Sequence, residues 1–262
     1  MKCDLCPRKC LVDRKKGEKG ICGQTENLKV ARAALHFWEE PCISGDAGSG
    51  AVFFSGCPLH CVFCQNENIA NGTVGKEISL ERLVDIFLEL QEKRANNINL
   101  VTPGHFVPQI VKALDQARKE GLTLPVVYNT SSYETVDTIK MLEGYVDIYL
   151  PDFKYMSPVL SKKYSHAPDY AEVAKAAIAE MVRQTGKAVF VNGDEDNLIL
   201  SGTIVRHLTL PGCMADSMQI LKYQHDTYGD KIYISIMNQF TPLSNLEKYP
   251  ELNRRITDEE YE

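Results

Sequence analysis

From residue 51 onward the chain alternates short apolar runs with longer amphipathic segments. Each short run is rich in β-branched residues, which is typical of a buried strand, and each longer segment places apolar residues at helical spacing. The pattern predicts six βα units in series. The predicted strands are 51–55, 98–102, 125–130, 146–153, 204–210 and 231–237.

Several of the predicted helices have recognisable ends. Ser79 is the expected N-cap of the first helix, and the second begins near Pro108 and ends before Gly121. Because parallel strands joined by right-handed crossovers curl together, we expect an α/β fold, a partial (β/α)6 TIM-like barrel. The remaining predicted helices are about 133–144, 170–185 and 214–228.

Polar side chains follow the predicted strands. In barrels of this kind the chemistry lies at the carboxyl ends of the strands, so these side chains would meet at one mouth. Their convergence makes them candidates for binding or catalysis, although any one alone could be an ordinary surface residue. They are Cys57, Thr102, Gly104, His105, Asn129, Thr130, Asp152, Lys154, Arg206, Asn238 and Gln239.

Composition narrows the class of protein. The chain has 262 residues, 44% of them hydrophobic, and a net charge of −6. With a pI of about 5.6, it lacks the basic balance of a general nucleic-acid binder. It has no apolar run near the length of a membrane span and no apolar core of a signal peptide at its start. We therefore expect a cytoplasmic protein without nucleic-acid or membrane partners.

The cysteines are numerous and clustered. Seven of the nine form two groups, and Cys42 and Cys213 lie outside both, with roles that the sequence leaves open. In a reducing compartment, clustered cysteines are more often metal ligands than disulfide partners. The two groups are Cys3, Cys6, Cys10 and Cys22, followed by Cys57, Cys61 and Cys64.

The second group has the spacing C-x3-C-x2-C directly after the first predicted strand. Four thiolates would close a structural zinc site or an iron–sulfur cluster that serves only in electron transfer. Three thiolates leave one iron of a cluster open to a ligand. The alternative is that three small thiols simply fill a tight loop.

This motif and its position resemble the radical S-adenosylmethionine (radical SAM) superfamily. The resemblance implies that Cys57, Cys61 and Cys64 hold a [4Fe-4S] cluster whose fourth iron binds the methionine part of SAM. Reductive cleavage of SAM would then give a 5′-deoxyadenosyl radical that abstracts a hydrogen atom. It also implies that Phe63 lies against the adenine.

The glycine-rich motif of the family, usually Gly-Gly-Glu, reads TPGH here, at 102–105. Thr102 and backbone carbonyls near Gly104 would accept hydrogen bonds from the ammonium group of SAM. The carboxylate of the family motif is missing at this place.

More of the chain is similar to the activating enzymes of glycyl radical enzymes, typified by pyruvate formate-lyase activase. In that branch the motif DFK supplies Asp152 and Lys154 to the cofactor site, and Arg206 meets the cofactor carboxylate. Asn129 and Thr130 stand where the branch has Asp-Thr. The resemblance implies a protein or peptide substrate, such as a glycyl radical enzyme, and flavodoxin or ferredoxin as electron donor.

Two other functions stay open at this point. The enzyme could modify a small molecule or a different peptide residue, or the chain could be a non-catalytic, metal-binding regulatory protein.

The first cysteine group belongs to a predicted Cys-rich extension, 1–45, ahead of a barrel domain, 46–262. Its spacing, C-x2-C-x3-C-x11-C, suits zinc, a second iron–sulfur cluster or a set of unligated thiols. Residues 1–20 carry seven Lys or Arg against three Asp or Glu. This excess is either a solvated edge or a docking site for an acidic partner.

Overall fold

The computed structural model describes residues 2–194, 197–244 and 246–261. Within these residues the strands are β1 Lys29–His36, β2 Ser49–Phe54, β3 Lys76–Glu77, β4 Ile98–Val101, β5 Val126–Thr130, β6 Ile148–Pro151, β7 Val189–Phe190, β8 Ile199–Leu208 and β9 Tyr233–Met237. The helices there are α1 Pro41–Ser44, α2 Glu67–Ala70, α3 Leu80–Glu92, α4 Val107–Lys119, α5 Val136–Lys140, α6 Pro158–Ser165, α7 Tyr170–Thr185, α8 Met214–Tyr228 and α9 Asp258–Tyr261.

The predicted α/β partial barrel is confirmed. Six strands run parallel in the order β2-β4-β5-β6-β8-β9, and each corresponds to one of the six predicted strands. Two antiparallel strands, β1 and β3, extend the edge beyond β2. Among the described residues no pairing joins β9 to that edge, so the barrel is open on this side.

Four of the five predicted helices agree well with the structure, namely α3, α4, α7 and α8. The Ser79 side chain accepts a hydrogen bond from the Arg82 backbone N–H at 3.1 Å and caps α3. Helices α7 and α8 have the predicted bounds. The third predicted helix, 133–144, is wrong in length, because Thr135 is extended and caps α5 only from Val136 onward.

Seven described strands and α-helices were not predicted, namely β1, β3, β7, α1, α2, α6 and α9. Strand β1 is antiparallel to β2, with Val30 opposite Phe54 and His36 opposite Ser49, and helix α6 separates β6 from α7. Strand β8 also begins at Ile199, five residues before the predicted start. The β1 strand matters for the site, because the chain that follows it enters the barrel.

The main core lies between the sheet and the helices α3 and α4. Val52, Leu100 and Tyr128 on the strands pack with Phe87 and Ile110 on the helices, and all five are fully buried. Complete burial of such a side chain contributes roughly 1.5–3 kcal/mol, which fixes the helices against the strands. No helix among the described residues is both long and apolar enough to cross a membrane.

Candidate active site

The loop that follows β2, residues 57–64, is hereafter the cysteine loop. It leaves the strand through Gly56, whose φ of +92° favours glycine and where a Cβ would overlap the Cys22 carbonyl oxygen. A turn follows, in which the Cys64 N–H donates to the Cys61 carbonyl at 3.1 Å. Cys57, Cys61 and Cys64 all line one cavity of about 500 Å³.

The three thiols of this loop belong to half-buried residues. Burial raises the pKa of the Cys57 thiol to about 12. Burial also raises the pKa of Cys61, although the nearby Lys154 charge and a hydrogen bond from Ser165 act in the opposite direction. The Ser165 hydroxyl donates to the Cys61 Sγ at 2.9 Å. Thiols of this kind release their protons when they bind a metal centre. The positive charge of the metal then compensates the negative charge of each thiolate.

Among the described residues, no group of three or more Cys, His, Asp or Glu side chains is arranged around a single metal ion. A [4Fe-4S] cluster does not need such an arrangement, because each thiolate binds a different iron atom.

A charged network lies on the wall of the same cavity. The Arg206 guanidinium donates from Nε to Asp152 Oδ1 at 2.9 Å, from Nη1 to Glu39 Oε1 at 2.7 Å and from Nη2 to Asn129 Oδ1 at 2.8 Å. Lys154 Nζ contacts the other oxygen of Asp152, Oδ2, at 2.6 Å. Two carboxylates therefore face two cations in a buried, neutral set.

The network fixes the charge states of its members. Burial alone would raise the pKa of Asp152, but the charges of Arg206 and Lys154 outweigh it and hold that pKa below its usual value. Burial likewise acts to lower the pKa of Lys154, and the Asp152 charge more than offsets it. Asp152 and Lys154 are therefore charged at neutral pH, and together with Arg206 they offer fixed charges to a zwitterionic ligand.

Glu39 is the site residue that sequence reasoning missed. It follows β1, and its carboxylate also accepts hydrogen bonds from the side chains of Asn99 and Asn129, at 3.1 and 3.0 Å. The next residue, Glu40, accepts a hydrogen bond from Ser235 on β9 at 2.9 Å. The segment after β1 thus reaches strands on the far side of the barrel, and no local motif signals it.

The TPGH segment takes an unusual backbone conformation. Thr102 lines the cavity and has a φ of +54°, which is uncommon for a β-branched residue. Its N–H donates to the Asn129 carbonyl at 2.9 Å, which holds the conformation. Strained backbone of this kind is concentrated at ligand sites.

A buried carboxyl lies behind this segment. Glu134 accepts hydrogen bonds from Thr130 Oγ1 at 2.8 Å and Tyr128 Oη at 3.2 Å, and a Cβ at Gly104 would overlap its carboxylate. Burial raises the pKa of Glu134 to about 7, against the effect of the two hydrogen bonds. A carboxyl is therefore present near the TPGH segment, supplied by a different part of the chain.

Most of the residues predicted for the cofactor site come together. Among the described residues that line the cavity are Thr102, Asn129, Thr130, Asp152, Lys154 and Arg206, together with the three thiols. Gly104 lies against Glu134, just outside this lining. Phe63 packs against Tyr164 and Phe240, with ring centroids 6.4 and 6.0 Å away, and is not part of the described lining.

The donor set fits the two groups that the sequence implied. Three thiols suit the irons of a cluster, and Arg206 and the carboxylates beside it suit the carboxylate and ammonium ends of an amino-acid cofactor. All line one cavity of the size usual for a small-molecule site.

Comparisons with known proteins identify the family of the chain. The model of the radical SAM superfamily matches residues 51–196, which is more than half of the chain. The uncharacterised protein MJ0674 of Methanocaldococcus jannaschii is 27% identical over 266 residues, covering 99% of this chain and 72% of that protein.

Three solved structures share the fold. HydG, a maturase of the [FeFe]-hydrogenase, matches with a TM-score of 0.51 and 13% identity, over 78% of this chain and 45% of HydG. Streptococcus suis SuiB bound to S-adenosylmethionine matches with a TM-score of 0.50 and 12% identity, over 77% of this chain and 41% of SuiB. Methylornithine synthase (PylB) matches with a TM-score of 0.50 and 14% identity, over 78% of this chain and 57% of PylB. The chain thus spans less than two thirds of each of these structures.

The matched segment begins at β2 and contains the cysteine loop and the strands that carry Thr102, Asn129 and Asp152. The chain therefore belongs to the radical SAM superfamily, whose enzymes use a [4Fe-4S] cluster and S-adenosylmethionine for radical chemistry.

Proposed function

We propose that this radical SAM enzyme abstracts a hydrogen atom from a protein or peptide partner, in the manner of the activating enzymes of glycyl radical enzymes. In this proposal Cys57, Cys61 and Cys64 hold the cluster. When bound, the cluster and SAM supply the 5′-deoxyadenosyl radical. The chain's own task is to orient SAM and to present one hydrogen atom of the substrate.

The residues of the charged network divide this task. Arg206 offers its guanidinium to the cofactor carboxylate, and Asp152 and Glu39 hold that guanidinium in place from two sides. Asp152 also keeps Lys154 close to the cysteine loop, where its charge favours the Cys61 thiolate. Thr102 and Asn129 line the same cavity and bind the amino-acid end of SAM in this proposal.

The size of the cavity favours a macromolecular substrate. Its volume of about 500 Å³ lies in the range that one small-molecule ligand fills, so the cofactor takes up most of it. A substrate then approaches from the mouth and inserts only the group that reacts. A polypeptide loop satisfies this requirement better than a second whole ligand.

The surroundings of the mouth carry the proposal. A second cavity of about 570 Å³ shares Cys64–Asn66 and Ile69 with the first, and a third of about 240 Å³ shares Trp38, Arg206 and Gln239 with it. These three adjoining cavities are hereafter the trough. Trp38, which is 90% exposed, stands beside this trough and offers an aromatic surface to an extended chain.

Isotope transfer tests the proposal. A lysate of cells grown on Cα-deuterated glycine is first separated by filtration into macromolecules and small molecules. Each fraction is then incubated with reconstituted enzyme, dithionite and unlabelled SAM. We expect deuterium in 5′-deoxyadenosine with the macromolecular fraction, and none with Cys61→Ala.

Deuterium from the filtrate alone would instead identify a small-molecule substrate. Absence of any 5′-deoxyadenosine from the intact protein would favour the non-catalytic alternative.

A further inference from the structure

The first cysteine group forms a compact unit, residues 3–22, hereafter the amino-terminal knot. The Cys3 N–H donates to the Val12 carbonyl at 2.9 Å, and the Leu11 N–H returns to the Cys3 carbonyl at 3.0 Å. The Lys9 N–H closes a turn on the Cys6 carbonyl at 3.0 Å. These bonds bring the first three cysteines into one loop.

Cys22 joins them through the turn at Gly20. A Cβ on Gly20 would lie 3.0 Å from the Cys10 Sγ, and the Ile21 N–H donates to the same sulfur at 3.3 Å. Hydrogen bonds to sulfur tune the potentials of iron–sulfur clusters. All four thiols are half-buried or buried and free of disulfides.

The knot is bound directly to the cysteine loop. Arg8 Nε donates to the Pro58 carbonyl at 2.9 Å, and the His60 ring nitrogen Nε2 lies 2.8 Å from the Ile21 carbonyl oxygen. The Cys22 carbonyl packs against Gly56, one residue before Cys57. That contact plus one peptide unit places the Cα atoms of Cys22 and Cys57 within about 10 Å of each other.

The outer face of the knot is basic in a protein that is acidic as a whole. Its exposed lysines form no ion pair within the described residues, and the side chains of Leu11 and Ile21 in the same unit are exposed as well. Against them stand only Asp4 and Glu18 as exposed acids of the knot. The lysines of the knot are Lys9, Lys15, Lys16 and Lys19, and the exposed Lys2 lies directly ahead of it.

We propose that the amino-terminal knot holds a second [4Fe-4S] cluster and is the port through which electrons enter. Cys3, Cys6, Cys10 and Cys22 lose their protons and bind four irons, a closed set suited to electron transfer. One electron passes from an acidic, low-potential one-electron carrier protein to this cluster and then to the cluster of the cysteine loop, where cleavage of SAM consumes it. The inference rests on the family assignment and is independent of the substrate proposed above.

Two observations favour this role over a purely structural zinc. The knot contacts the cysteine loop at Pro58 and at His60, a proximity that an electron relay requires. Its exposed lysines have the charge that attracts an acidic carrier. A zinc ion has no redox chemistry and would use neither feature.

The first experiment isolates the knot. The variant Cys57→Ala, Cys61→Ala and Cys64→Ala is reconstituted anaerobically and analysed for iron and zinc. We expect about four irons for each chain and a dithionite-reduced paramagnetic signal that SAM does not change. Cys42→Ala, which leaves both groups intact, should keep about eight irons by the same count. Zinc or no metal in the triple variant would overturn the proposal.

The second experiment tests the relay. Cys10→Ser should lose about half of the iron. With reduced flavodoxin as electron donor, it should form at least tenfold less 5′-deoxyadenosine than the wild type. The variant should keep its activity with dithionite, because dithionite reduces the cluster of the cysteine loop directly. Equal losses with both reductants, while the cluster of the cysteine loop keeps its signal, would assign the knot a structural role and contradict the relay.

The third experiment tests the docking face. Lys15→Glu with Lys16→Glu should slow the flavodoxin-driven reaction at least tenfold at low salt and weaken its dependence on salt. Iron content and dithionite-driven activity should stay unchanged. Lys112→Glu with Lys119→Glu, two exposed lysines on α4, is the matched control and should have no effect. A loss of the same size in the control pair would contradict a specific port.

Discussion

Arg206 and Glu39 are 167 residues apart in the sequence, yet Nη1 of the first lies 2.7 Å from Oε1 of the second. The side chains of both residues are nearly buried, with 13% and 10% of their surface exposed. Glu39 comes from the chain that follows the antiparallel strand β1, and Arg206 lies on the parallel strand β8. Their contact joins the amino-terminal part of the chain to the wall of the cofactor cavity.

The Arg206 network should be costly to break from one side. Arg206→Ala leaves the carboxylates of Glu39 and Asp152 buried without their shared cation, and we expect a loss of about 3–5 kcal/mol in the free energy of unfolding. The SAM affinity of the reconstituted enzyme should fall as well. Urea denaturation and equilibrium dialysis measure the two effects.

A double variant provides the control. The double variant Arg206→Ala with Glu39→Gln should lose less unfolding free energy than the sum of the two single losses. The reason is that the unpaired charge of Glu39 is absent from the double variant. Strict additivity would contradict a direct coupling between these residues.

The buried Glu134 predicts a pH dependence. Its pKa is raised to about 7, so the folded protein holds this proton more tightly than the unfolded chain does. The contribution of Glu134 to stability is therefore fully present below the ordinary Glu pKa and is lost as the pH rises toward 7. A shift of this size corresponds to roughly 3 kcal/mol.

Glu134→Gln removes this titration and keeps a side chain of similar size. The difference in unfolding free energy between wild type and Glu134→Gln should shift in favour of the variant between pH 5 and pH 8. Denaturant titrations of the reduced, cluster-free proteins measure it. Parallel pH profiles for the two proteins would show that Glu134 ionises normally.

Gly104 should tolerate no side chain while Glu134 is present. A Cβ there would overlap the Glu134 carboxylate, which Thr130 and Tyr128 hold in place by hydrogen bonds. Gly104→Ala should cost about 1–3 kcal/mol, as overpacking does. In a Glu134→Ala background the same change should cost clearly less, and an equal cost in both would place the clash elsewhere.

Ser165 should tune the cluster of the cysteine loop. Its hydroxyl donates to the Cys61 sulfur, and such bonds stabilise the reduced, more negative cluster. Ser165→Ala should shift the reduction potential of that cluster to more negative values in a titration followed by paramagnetic resonance. Ser161→Ala is the control, since this buried hydroxyl bonds only to the Pro158 carbonyl among its described partners. A shift of the same size in both variants would argue against the sulfur bond.

The sequence predicts the parts of the fold that local pattern determines. Helices α7 and α8 have the predicted bounds, and each is followed directly by a glycine, Gly186 or Gly229. Helix α7 also has a long apolar stripe. Four of the six parallel strands, β2, β4, β5 and β6, are apolar runs buried along almost their whole length, a pattern that few other elements share. Thr102, Asn129, Asp152 and Arg206 could be placed at one mouth because the carboxyl ends of parallel strands meet there.

The rest depends on contacts that local pattern does not encode. Strand β1, with the sequence KVARAALH, is rich in alanine and is mostly half-exposed, so it lacks the signal of a buried strand. Glu39 enters the site only because β1 turns the chain back across the barrel. Glu134 likewise meets Gly104 through packing and not through spacing, so its carboxyl could not be assigned to the TPGH segment beforehand.

The central claim is that Cys57, Cys61 and Cys64 hold a cluster with one open iron that binds SAM. Electron–nuclear double resonance of the reduced protein with SAM labelled by ¹⁷O in its carboxylate tests this claim most directly. We predict a hyperfine coupling between the label and the cluster in the wild type and none in Cys61→Ala. A reduced cluster in the intact loop that shows no coupling to the bound label would contradict the account.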